Sequence, residues 1–367
     1  MNLFPELQKR YTKDQLSARE AQRLAEFIAF GPVIFQTARI MLKTGILDKI
    51  RNSTDGLTEE EVSKETGLSR YAVKCLLEAS LTIGILLIDP NTDKYTISKT
   101  GWFLLNDPAT KVNIDFNHDV NYLGWFDLEE ALKEGKPAGL KTLGDWPTIY
   151  EGLSTLPKHV QDSWFGFDHF YSDNSFDEAL EIVFADKPKT LLDVGGNTGR
   201  WALRCVAYDP DVKVTILDLP QQIGLMKENI AGKPGAGRID GMGVDLLDET
   251  AEMPTGEKFE AIWMSQFLDC FSEDQIVSIL KRASKVMDKN SHLYIMETLW
   301  DRQKYEPAAL CLTLTSLYFT ALANGNSKMY HSEDMERLVK EAGLEIERVH
   351  DYLGQGHSIL VCKLKDK

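Results

Sequence analysis

The residues best placed to do chemistry lie where predicted β-strands end. Residues 191–200 read LLDVGGNTGR, so an apolar strand stops near Asp193 and leads through a turn with Gly195 and Gly199 into a helical run. This order places backbone N–H groups and a glycine-lined gap at the carboxyl end of a buried strand, where nucleotide-like ligands bind. The stretch therefore predicts a nucleotide-type cofactor site.

The spacing of this turn discriminates between cofactors. No lysine follows the last glycine, so the turn is not a phosphate-binding GxxxxGK[ST] loop, and it differs from the GxGxxG pattern that admits a pyrophosphate. Asp193 would repel a pyrophosphate but suits a ligand with ammonium or hydroxyl groups. Asn197 is tolerable in the turn because asparagine adopts left-handed backbone conformations more easily than most residues. These features point to S-adenosylmethionine.

Two further acidic strand ends extend the predicted site. A second strand ends at Asp218, which is placed to accept both ribose hydroxyls. Asp245 follows a probable third strand, where an adenine amino group would need an acceptor. An ordinary α/β sequence with scattered surface aspartates is the alternative, which three acidic strand ends in this order make the weaker one. The predicted cofactor residues are Asp193, Gly195, Gly196, Gly199, Asp218, Leu219, Asp245, Leu246, Ser265 and Gln266.

An α/β domain over residues 186–367 must position these strand ends. Strand and helix patterns alternate here, and a hairpin-like link at residues 354–356 joins the last two strands. We expect a doubly wound, Rossmann-like parallel sheet with a late antiparallel strand. The predicted strands are 190–194, 213–217, 238–243, 259–264, 292–296, 344–351 and 357–363.

Residues 1–115 predict a mainly helical first domain. Thr58 and Glu61 have the spacing of a capping box, and the helix that they open ends near Gly67. Ser69 then caps a second helix, and two short strands follow. Helix–turn–helix followed by a two-stranded hairpin is the pattern of a winged helix.

The charge of this domain argues against DNA binding. Residues 35–100 carry nine basic and nine acidic residues, and the whole chain carries a net charge of −15. A DNA-binding surface should be clearly basic. We therefore expect the winged helix to pack against another protein surface, with neither nucleic acid nor a membrane as partner.

An aromatic segment at residues 116–185 links the two domains. Most of its rings are expected to fill an interdomain core, but so many rings beside a cofactor domain could also line a pocket for a flat organic substrate. A helix at 307–323 would form another wall. The predicted pocket residues are Trp125, Trp164, Phe167, Asp168, Tyr318 and Phe319.

Composition restricts the compartment and the metal chemistry. The five cysteines are scattered, odd in number and without CxxC spacing, which favours reduced cytoplasmic thiols. We expect no metal, no signal peptide in the charged N-terminal segment, and no run that approaches the length of a membrane span.

The chain as a whole resembles the two-domain S-adenosylmethionine-dependent O-methyltransferases, the caffeic-acid-type plant enzymes and their bacterial relatives that act on small molecules. The resemblance extends from about residue 25 to 363. It rests on residues 191–200, 217–220, 342–344 and 356–358, and on 45–48, 66–68 and 84–86 in the first domain. It implies a homodimer formed through swapped N-terminal helices, in which the partner closes part of each pocket.

The resemblance also implies roles for the strand-end residues. The glycine turn with Asp193 would hold the amino acid end of the cofactor. Asp218 with Leu219 would hold the ribose, and Asp245 with Leu246 the adenine.

The catalytic positions depart from the family pattern. The family's general base is the histidine of a Leu-His-Asp-Trp-Ser stretch, but residues 268–272 read LDCFS, so Asp269 replaces it. Of two flanking family glutamates, one matches Glu297, and the other falls near Met329 and Tyr330 and is missing. We predict Asp269 and Glu297 as catalytic residues. Alternatively His169 or Glu297 is the base, the acceptor needs none, or Asp269 only caps a helix or faces water.

The sequence therefore favours a cytoplasmic, homodimeric S-adenosylmethionine-dependent O-methyltransferase that acts on a small aromatic or conjugated molecule with a hydroxyl group. One alternative keeps the fold and cofactor but performs hydroxylation or decarboxylation. Another is a ligand-sensing regulator that uses the winged helix on DNA.

Overall fold

The computed structural model describes residues 3–254, 256 and 258–365. These residues form two compact units: residues 14–119 make one, and residues 3–13 join residues 120–365 in the other. The first helix, α1 (Pro5–Tyr11), belongs to the larger unit, where its Leu7 is fully buried. The domain boundaries expected at residues 115 and 185 stay predictions.

The smaller unit is mainly helical and contains the predicted helix pair and hairpin. Capping boxes open two helices, at Ser17 with Glu20 and at Thr58 with Glu61, as predicted for the second pair. Gly67, with φ 72°, ends the helix before Ser69 caps the next one. The elements are α2 (Ala18–Ala29), α3 (Gly31–Lys43), α4 (Ile46–Asn52), α5 (Glu59–Thr66), α6 (Arg70–Ile83), β1 (Leu86–Asp89), β2 (Lys94–Ile97), α7 (Lys99–Asn106) and α8 (Pro108–Phe116).

The larger unit contains a sheet of seven strands flanked by helices. Its strands are β3 (Thr190–Val194), β4 (Lys213–Asp218), β5 (Ile239–Gly243), β6 (Ala261–Ser265), β7 (His292–Glu297), β8 (Leu344–Leu353) and β9 (His357–Leu364). Its further helices are α9 (Leu128–Glu134), α10 (Ile149–Gly152), α11 (Lys158–Ser172), α12 (Phe176–Val183), α13 (Arg200–Tyr208), α14 (Pro220–Ile230), α15 (Glu273–Ser284), α16 (Glu306–Tyr318) and α17 (Ser332–Glu341).

The strand order in this sheet is β5-β4-β3-β6-β7-β9-β8. Strands β3 to β7 pair in parallel, and β9 runs antiparallel to both of its neighbours, β7 and β8. The predicted doubly wound sheet with one late antiparallel strand is therefore confirmed. The chain leaves β3 towards β4 on one side and later returns to β6 on the other. The carboxyl ends of these three strands meet at this switch point, where α/β sheets bind ligands.

Apolar side chains cover both faces of the sheet because its central strands are buried on each side. On one face, Trp201 of α13 stacks on Trp263 of β6 with ring centroids 4.3 Å apart. On the other face, α15 and α17 pack through residues such as Ile276, Leu280 and Leu338. This core fixes the strand ends that carry the candidate site.

The expectation that no run of residues approaches the length of a membrane span is wrong. The helix Glu306–Ala323, formed by α16 and a π-helical turn, is 18 residues long and apolar enough to cross a bilayer by length and composition; a bent pair, α2 with α3, could give a second span. About two-fifths of the first helix (39%) is buried inside the protein. A core helix has the same properties, so this is weak evidence for a span.

Candidate active site

The glycine turn after β3 has a backbone that requires glycine. Gly195 has φ 76°, and its N–H donates to the carbonyl of Leu217 in the neighbouring strand at 2.8 Å. A Cβ atom at Gly195 would collide with the ring of Phe267. At Gly196 a Cβ would lie 2.7 Å from Oδ2 of Asp193. Without side chains at these two glycines, the backbone of the turn is accessible beside the buried carboxyl group of Asp193.

Asp193 is a buried acid at the end of β3. Asp193 is only 2% exposed, and its Oδ2 has no hydrogen-bond partner among the described residues. Burial, together with the nearby negative charge of Asp218, raises the pKa of Asp193 to about 8. A buried carboxyl oxygen without a partner is costly unless a ligand supplies one. An ammonium group is a suitable complement.

Asp218 is held by the turn that it faces. Its Oδ2 accepts the backbone N–H of Asn197 at 2.8 Å, and its Oδ1 accepts that of Leu219 at 2.7 Å. Asn197 has φ 48°, the left-handed conformation expected of asparagine at this position. Burial raises the pKa of Asp218. Because each carboxylate oxygen has two lone pairs, Asp218 can still accept hydroxyl donors.

Three more buried polar atoms lack partners at these strand ends, within the part of the chain that the structure describes. They are Oδ1 of Asn197, Oγ of Ser265 and Oε1 of Gln266. Gln266 also has φ 44°, which is unusual for a residue other than glycine and typical of a functional site. Buried polar atoms normally have partners, so this group of atoms fits a polar ligand bound at the switch point.

The loop after β5 carries the predicted adenine residues. Asp245 is exposed, and its Oδ1 accepts the N–H of Leu247 at 2.9 Å. Leu246 is buried, and its carbonyl accepts Nη2 of Arg282 at 2.6 Å. Arg282 also donates to the carbonyls of two other residues of this loop, Asp248 and Ala251, at 3.0 Å each. No local pattern predicted that Arg282 holds this loop.

Asp269 lies in a short 3-10 turn, Leu268–Cys270, that follows β6. The residue is 5% exposed, and burial raises its pKa to about 7. The thiol of Cys270 donates to Oδ1 of Asp269 at 3.5 Å. Asp269 is thus a buried acid that changes charge near neutral pH, and the expectation that it merely faces water is wrong.

Hydrogen bonds on both sides fix the Asp269 turn. Oε1 of Glu297 accepts the backbone N–H of Phe267 at 3.1 Å and that of Leu268 at 2.9 Å. Beyond Asp269, Nδ2 of Asn324 donates to the carbonyl of Cys270 at 2.6 Å. The hydroxyl of Tyr330 donates to the carbonyl of Phe271, also at 2.6 Å.

An aromatic wall stands beside the turn. The indole N–H of Trp164 on α11 donates to the hydroxyl of Tyr318 on α16 at 2.8 Å. Asp168 lies one helical turn after Trp164 and therefore on the same face of α11. Its side chain is 28% exposed, and its enclosed surroundings and the negative charge of Asp269 raise its pKa to about 7. Trp164, Asp168 and Tyr318 thus border the Asp269 turn.

The family comparison fits this geometry. The model of the O-methyltransferase domain matches residues 125–345, which is more than half of the chain, and that of the Dimerisation2-like domain matches residues 22–95. The chain belongs to the O-methyltransferase family. Its cofactor is S-adenosylmethionine, as predicted, and the buried, partnerless polar atoms at the switch point fit that group.

Known methyltransferases are similar to this one over most of its length, both in sequence and in structure. Norreticuline-7-O-methyltransferase of Papaver somniferum is 27% identical over 69% of this chain and 67% of its own length. The apo structure of the S-adenosylmethionine-dependent methyltransferase SibL has a TM-score of 0.69 at 21% identity, over 93% of this chain and 98% of SibL. NcsB1, an O-methyltransferase solved with S-adenosylmethionine and 2-hydroxy-5-methyl naphthoic acid, has a TM-score of 0.66 at 18% identity, over 90% and 96%.

The other predicted pocket residues of the methyltransferase lie on neighbouring segments. Trp125 is part of a turn, Gly124–Asp127, that packs on the π-helical turn beginning at Phe319, where Gly124 meets the side chain of Leu322. Phe167 pairs with Tyr171 at a centroid distance of 5.0 Å. That Trp125, Phe167 and Phe319 line the substrate pocket stays a prediction.

Sequence reasoning missed three residues of this site. Asn324 and Tyr330 hold the Asp269 turn, and Tyr150 has a buried hydroxyl whose pKa burial and the nearby Cys270 raise. Tyr330 falls where the second family glutamate was sought, so the comparison with the family pattern was the signal that could have found it. His169, the alternative base, is partly exposed and stacks on Phe165, and burial and Arg200 lower its pKa.

Among the described residues, no group of three or more histidine, cysteine, aspartate or glutamate side chains could hold a metal ion.

Proposed function

We propose that this methyltransferase transfers a methyl group to the hydroxyl of a small aromatic or conjugated molecule, with Asp269 as general base. The observation that carries the proposal is a buried carboxyl with a pKa of about 7 on a fixed turn between the cofactor strands and an aromatic wall. The names of relatives support the acceptor class, since they include enzymes of norreticuline and of a naphthoate.

Proton transfer is the step that this chain has to supply. A phenol with an ordinary pKa of about 10 is a poor nucleophile at neutral pH. The carboxylate of Asp269 can accept its proton, and a base matched to the working pH typically contributes about 10²–10⁴-fold. Bound S-adenosylmethionine supplies an activated methyl group on a positively charged sulfur. Orientation of the acceptor can supply a further contribution of about 7–11 kcal/mol.

We assign the cofactor contacts as follows. Asp193 and the open backbone of Gly195, Gly196 and Gly199 face the amino acid end, where a buried carboxylate complements an ammonium group. Asp218 accepts the ribose hydroxyls, with Leu219 beside it. Ser265 and Gln266 contribute their partnerless polar atoms. Asp245 and Leu246 border the adenine.

Glu297 acts in this proposal as a positioning residue. One of its oxygens is occupied by the two backbone N–H groups before Asp269, and burial raises its pKa well above the ordinary range. A neutral Glu297 fixes the turn without competing for the acceptor proton.

Product analysis tests the proposal against the alternative chemistry. The protein is incubated with S-adenosylmethionine and a panel of hydroxylated aromatic compounds, and products are analysed by mass. The expected result is a gain of one methylene per product together with S-adenosylhomocysteine. A gain of oxygen or a loss of carbon dioxide would contradict methyl transfer.

We also propose that the smaller unit is a winged helix that makes the protein a homodimer, in the cytoplasm. Helix α2 has an apolar stripe but no buried residue within this chain, and the side chains of Ile28, Phe30 and Val33 are 72%, 59% and 61% exposed. Such an exposed apolar patch marks a protein interface. Light scattering should give twice the chain mass, and Ile28→Glu should give monomers. A wild-type monomer would contradict this part.

A further inference from the structure

Cys270 directly follows the proposed base and stands where the family pattern has an aspartate. Residues 268–272 read LDCFS against the Leu-His-Asp-Trp-Ser stretch of the family, so two neighbouring positions differ together. An aspartate at position 270 would put a second negative charge beside Asp269, and adjacent carboxylates raise each other's pKa. A thiol adds no such charge as long as it keeps its proton.

The side chain of Cys270 donates a hydrogen bond to Asp269. Its Sγ lies 3.5 Å from Oδ1 of Asp269. The backbone of Cys270 is fixed as well, because its N–H donates to the carbonyl of Phe267 at 3.1 Å and its carbonyl accepts Nδ2 of Asn324 at 2.6 Å. The thiol is therefore held against one oxygen of the carboxyl group.

The surroundings of Cys270 keep its thiol protonated. Burial and the negative charge of Asp269 raise the pKa of Cys270 well above its ordinary value, and the hydroxyl of Tyr150 on α10 opposes this rise. That hydroxyl is buried and has no hydrogen-bond partner of ordinary geometry among the described residues. When it donates to the sulfur, the single S–H hydrogen is left for Asp269.

The other titratable groups around Asp269 are acids and phenols. Five of them lie close enough to interact with its charge: Tyr150 on α10, Asp168 on α11, Glu297 on β7, Tyr318 on α16 and Tyr330 before α17. None of these five groups is a cation. Burial raises the pKa of Asp269 to about 7, and the hydrogen bond from Cys270 opposes the rise. Among the described side chains, that of Cys270 is therefore the one that favours the ionised form of Asp269.

We propose that Cys270 is a positioning residue for the base: its thiol donates to Oδ1 of Asp269, stabilises the carboxylate and leaves Oδ2 for the hydroxyl of the acceptor. This role rests on the proposed function, because it requires Asp269 to be the base. The thiol keeps its own proton throughout, and the proton of the acceptor goes to Asp269 and from there to water. Tyr150 orients the thiol from its other side.

NMR of isotope-labelled carboxyl carbons measures the charge of Asp269 without any methyl transfer. The protein is labelled at its aspartate side chains and saturated with S-adenosylhomocysteine, and the resonance of Asp269 is the one missing from Asp269→Asn. Cys270→Ala should raise the pKa of Asp269 by about 0.5–1 pH unit, since the carboxylate loses a donor. Cys270→Ser keeps a donor and should leave this pKa at or below the wild-type value. Cys75→Ala is the control, because it removes an exposed thiol from α6 and should change nothing.

The pH profile of turnover is the second measurement, made with the compound of the product-analysis panel that is methylated fastest. In Cys270→Ala the inflection should move up by the same amount, so turnover should fall several-fold below the inflection and largely recover above it. Cys270→Ser should keep the wild-type profile. Tyr150→Phe should give a smaller upward shift, and no further shift when combined with Cys270→Ala, because it acts through the thiol.

The outcomes separate the role of Cys270 from the proposed function. Three results overturn the role of Cys270 while the proposed function stands: an unchanged pKa in Cys270→Ala, a loss of turnover that is equal at every pH, and a Cys270→Ser variant that behaves like Cys270→Ala. If the pKa rises in Cys270→Ala but no compound of the panel gains a methyl group, the proposed function is refuted. The role of Cys270 in catalysis is refuted with it, and its contact with Asp269 stands.

Discussion

Oε1 of Glu297 accepts the backbone N–H of Leu268 at 2.9 Å, so a residue at the end of one strand fixes the turn that follows its neighbour. Strands β6 and β7 are parallel and adjacent, which brings Glu297 beside the residues after β6. Asn324 and Tyr330 hold the carbonyls on the far side of Asp269. The position of the proposed base is thus set by contacts on both sides, and each contact can be tested.

The first prediction concerns Glu297. Glu297→Ala leaves the N–H groups of Phe267 and Leu268 without an acceptor, at a cost of about 1–3 kcal/mol each, so both the melting temperature and the turnover should fall. Glu297→Gln keeps an acceptor oxygen in place and should retain turnover to within about tenfold. Calorimetric melting and methyl-transfer rates measure both. If the Gln variant is as slow as Asp269→Asn, Glu297 takes part in the chemistry itself.

Tyr330 gives a second prediction. Tyr330→Phe removes the donor to the carbonyl of Phe271, so the variant should lose about 0.5–1.5 kcal/mol of stability. Turnover should drop several-fold while affinity for S-adenosylhomocysteine stays the same, since the turn that carries Asp269 loosens. Tyr305→Phe is the control, because Tyr305 is 64% exposed and its substitution should change neither stability nor turnover. Equal turnover in the two variants would show that Tyr330 does not position the turn that carries Asp269.

The third prediction is a pH dependence set by Asp269. Its pKa is raised to about 7, and a base works only when deprotonated, so turnover should rise with pH through this region. At saturating cofactor the inflection should lie lower, because the positive sulfur favours the carboxylate. Asp269→Asn should lower turnover about tenfold or more and remove the inflection. A variant with unchanged turnover would mean that the acceptor needs no base or that His169 supplies one.

Glycine geometry gives a fourth prediction. Gly195→Ala puts a Cβ into the ring of Phe267 at φ 76° and should weaken S-adenosylhomocysteine binding about tenfold or more. Gly224→Ala in α14 meets no atom within 4 Å and should leave binding unchanged while stabilising the helix slightly. Titration calorimetry compares the two. Similar affinity in both variants would contradict the assignment of the cofactor site to this turn.

The fifth prediction follows from Asp193 in the cofactor-free protein. Its folded-state pKa is about 8, against an ordinary value of about 3.9. Between these values the folded state keeps a proton that the unfolded chain has released, so Asp193 lowers the free energy of unfolding as pH rises from about 4 to 8. Asp193→Asn removes this term. The melting temperature of the variant minus that of the wild type should therefore increase with pH, whereas a constant difference would show that Asp193 is ionised when folded.

Local patterns predicted the frame of the site. The turn from Asp193 to Gly199 and the strand that ends at Asp218 could be predicted because strand, acid and glycine follow one another in the sequence. The conformation of such a turn is decided by short-range backbone chemistry. The capping box at Thr58 and Glu61 could be predicted for the same reason. The family pattern also located Asp269, although it could not supply the surroundings that set its charge.

Contacts between distant segments were not predictable. Asn324 and Tyr330 reach the Asp269 turn across more than fifty residues, and their types carry no local sign of that role. The raised pKa of Asp168 comes from burial and then from the negative charge of Asp269, which a different element contributes. Leu7 packs with the larger unit although it precedes the smaller one in sequence.

A crystal structure of the protein with S-adenosylhomocysteine would show whether the cofactor and Asp269 face one another. We expect an amino group at Asp193, ribose hydroxyls at Asp218, and a sulfur atom that faces Asp269 across the space bordered by Trp164 and Tyr318. A sulfur atom directed away from Asp269, or a ligand bound outside the carboxyl ends of β3, β4 and β6, would contradict it.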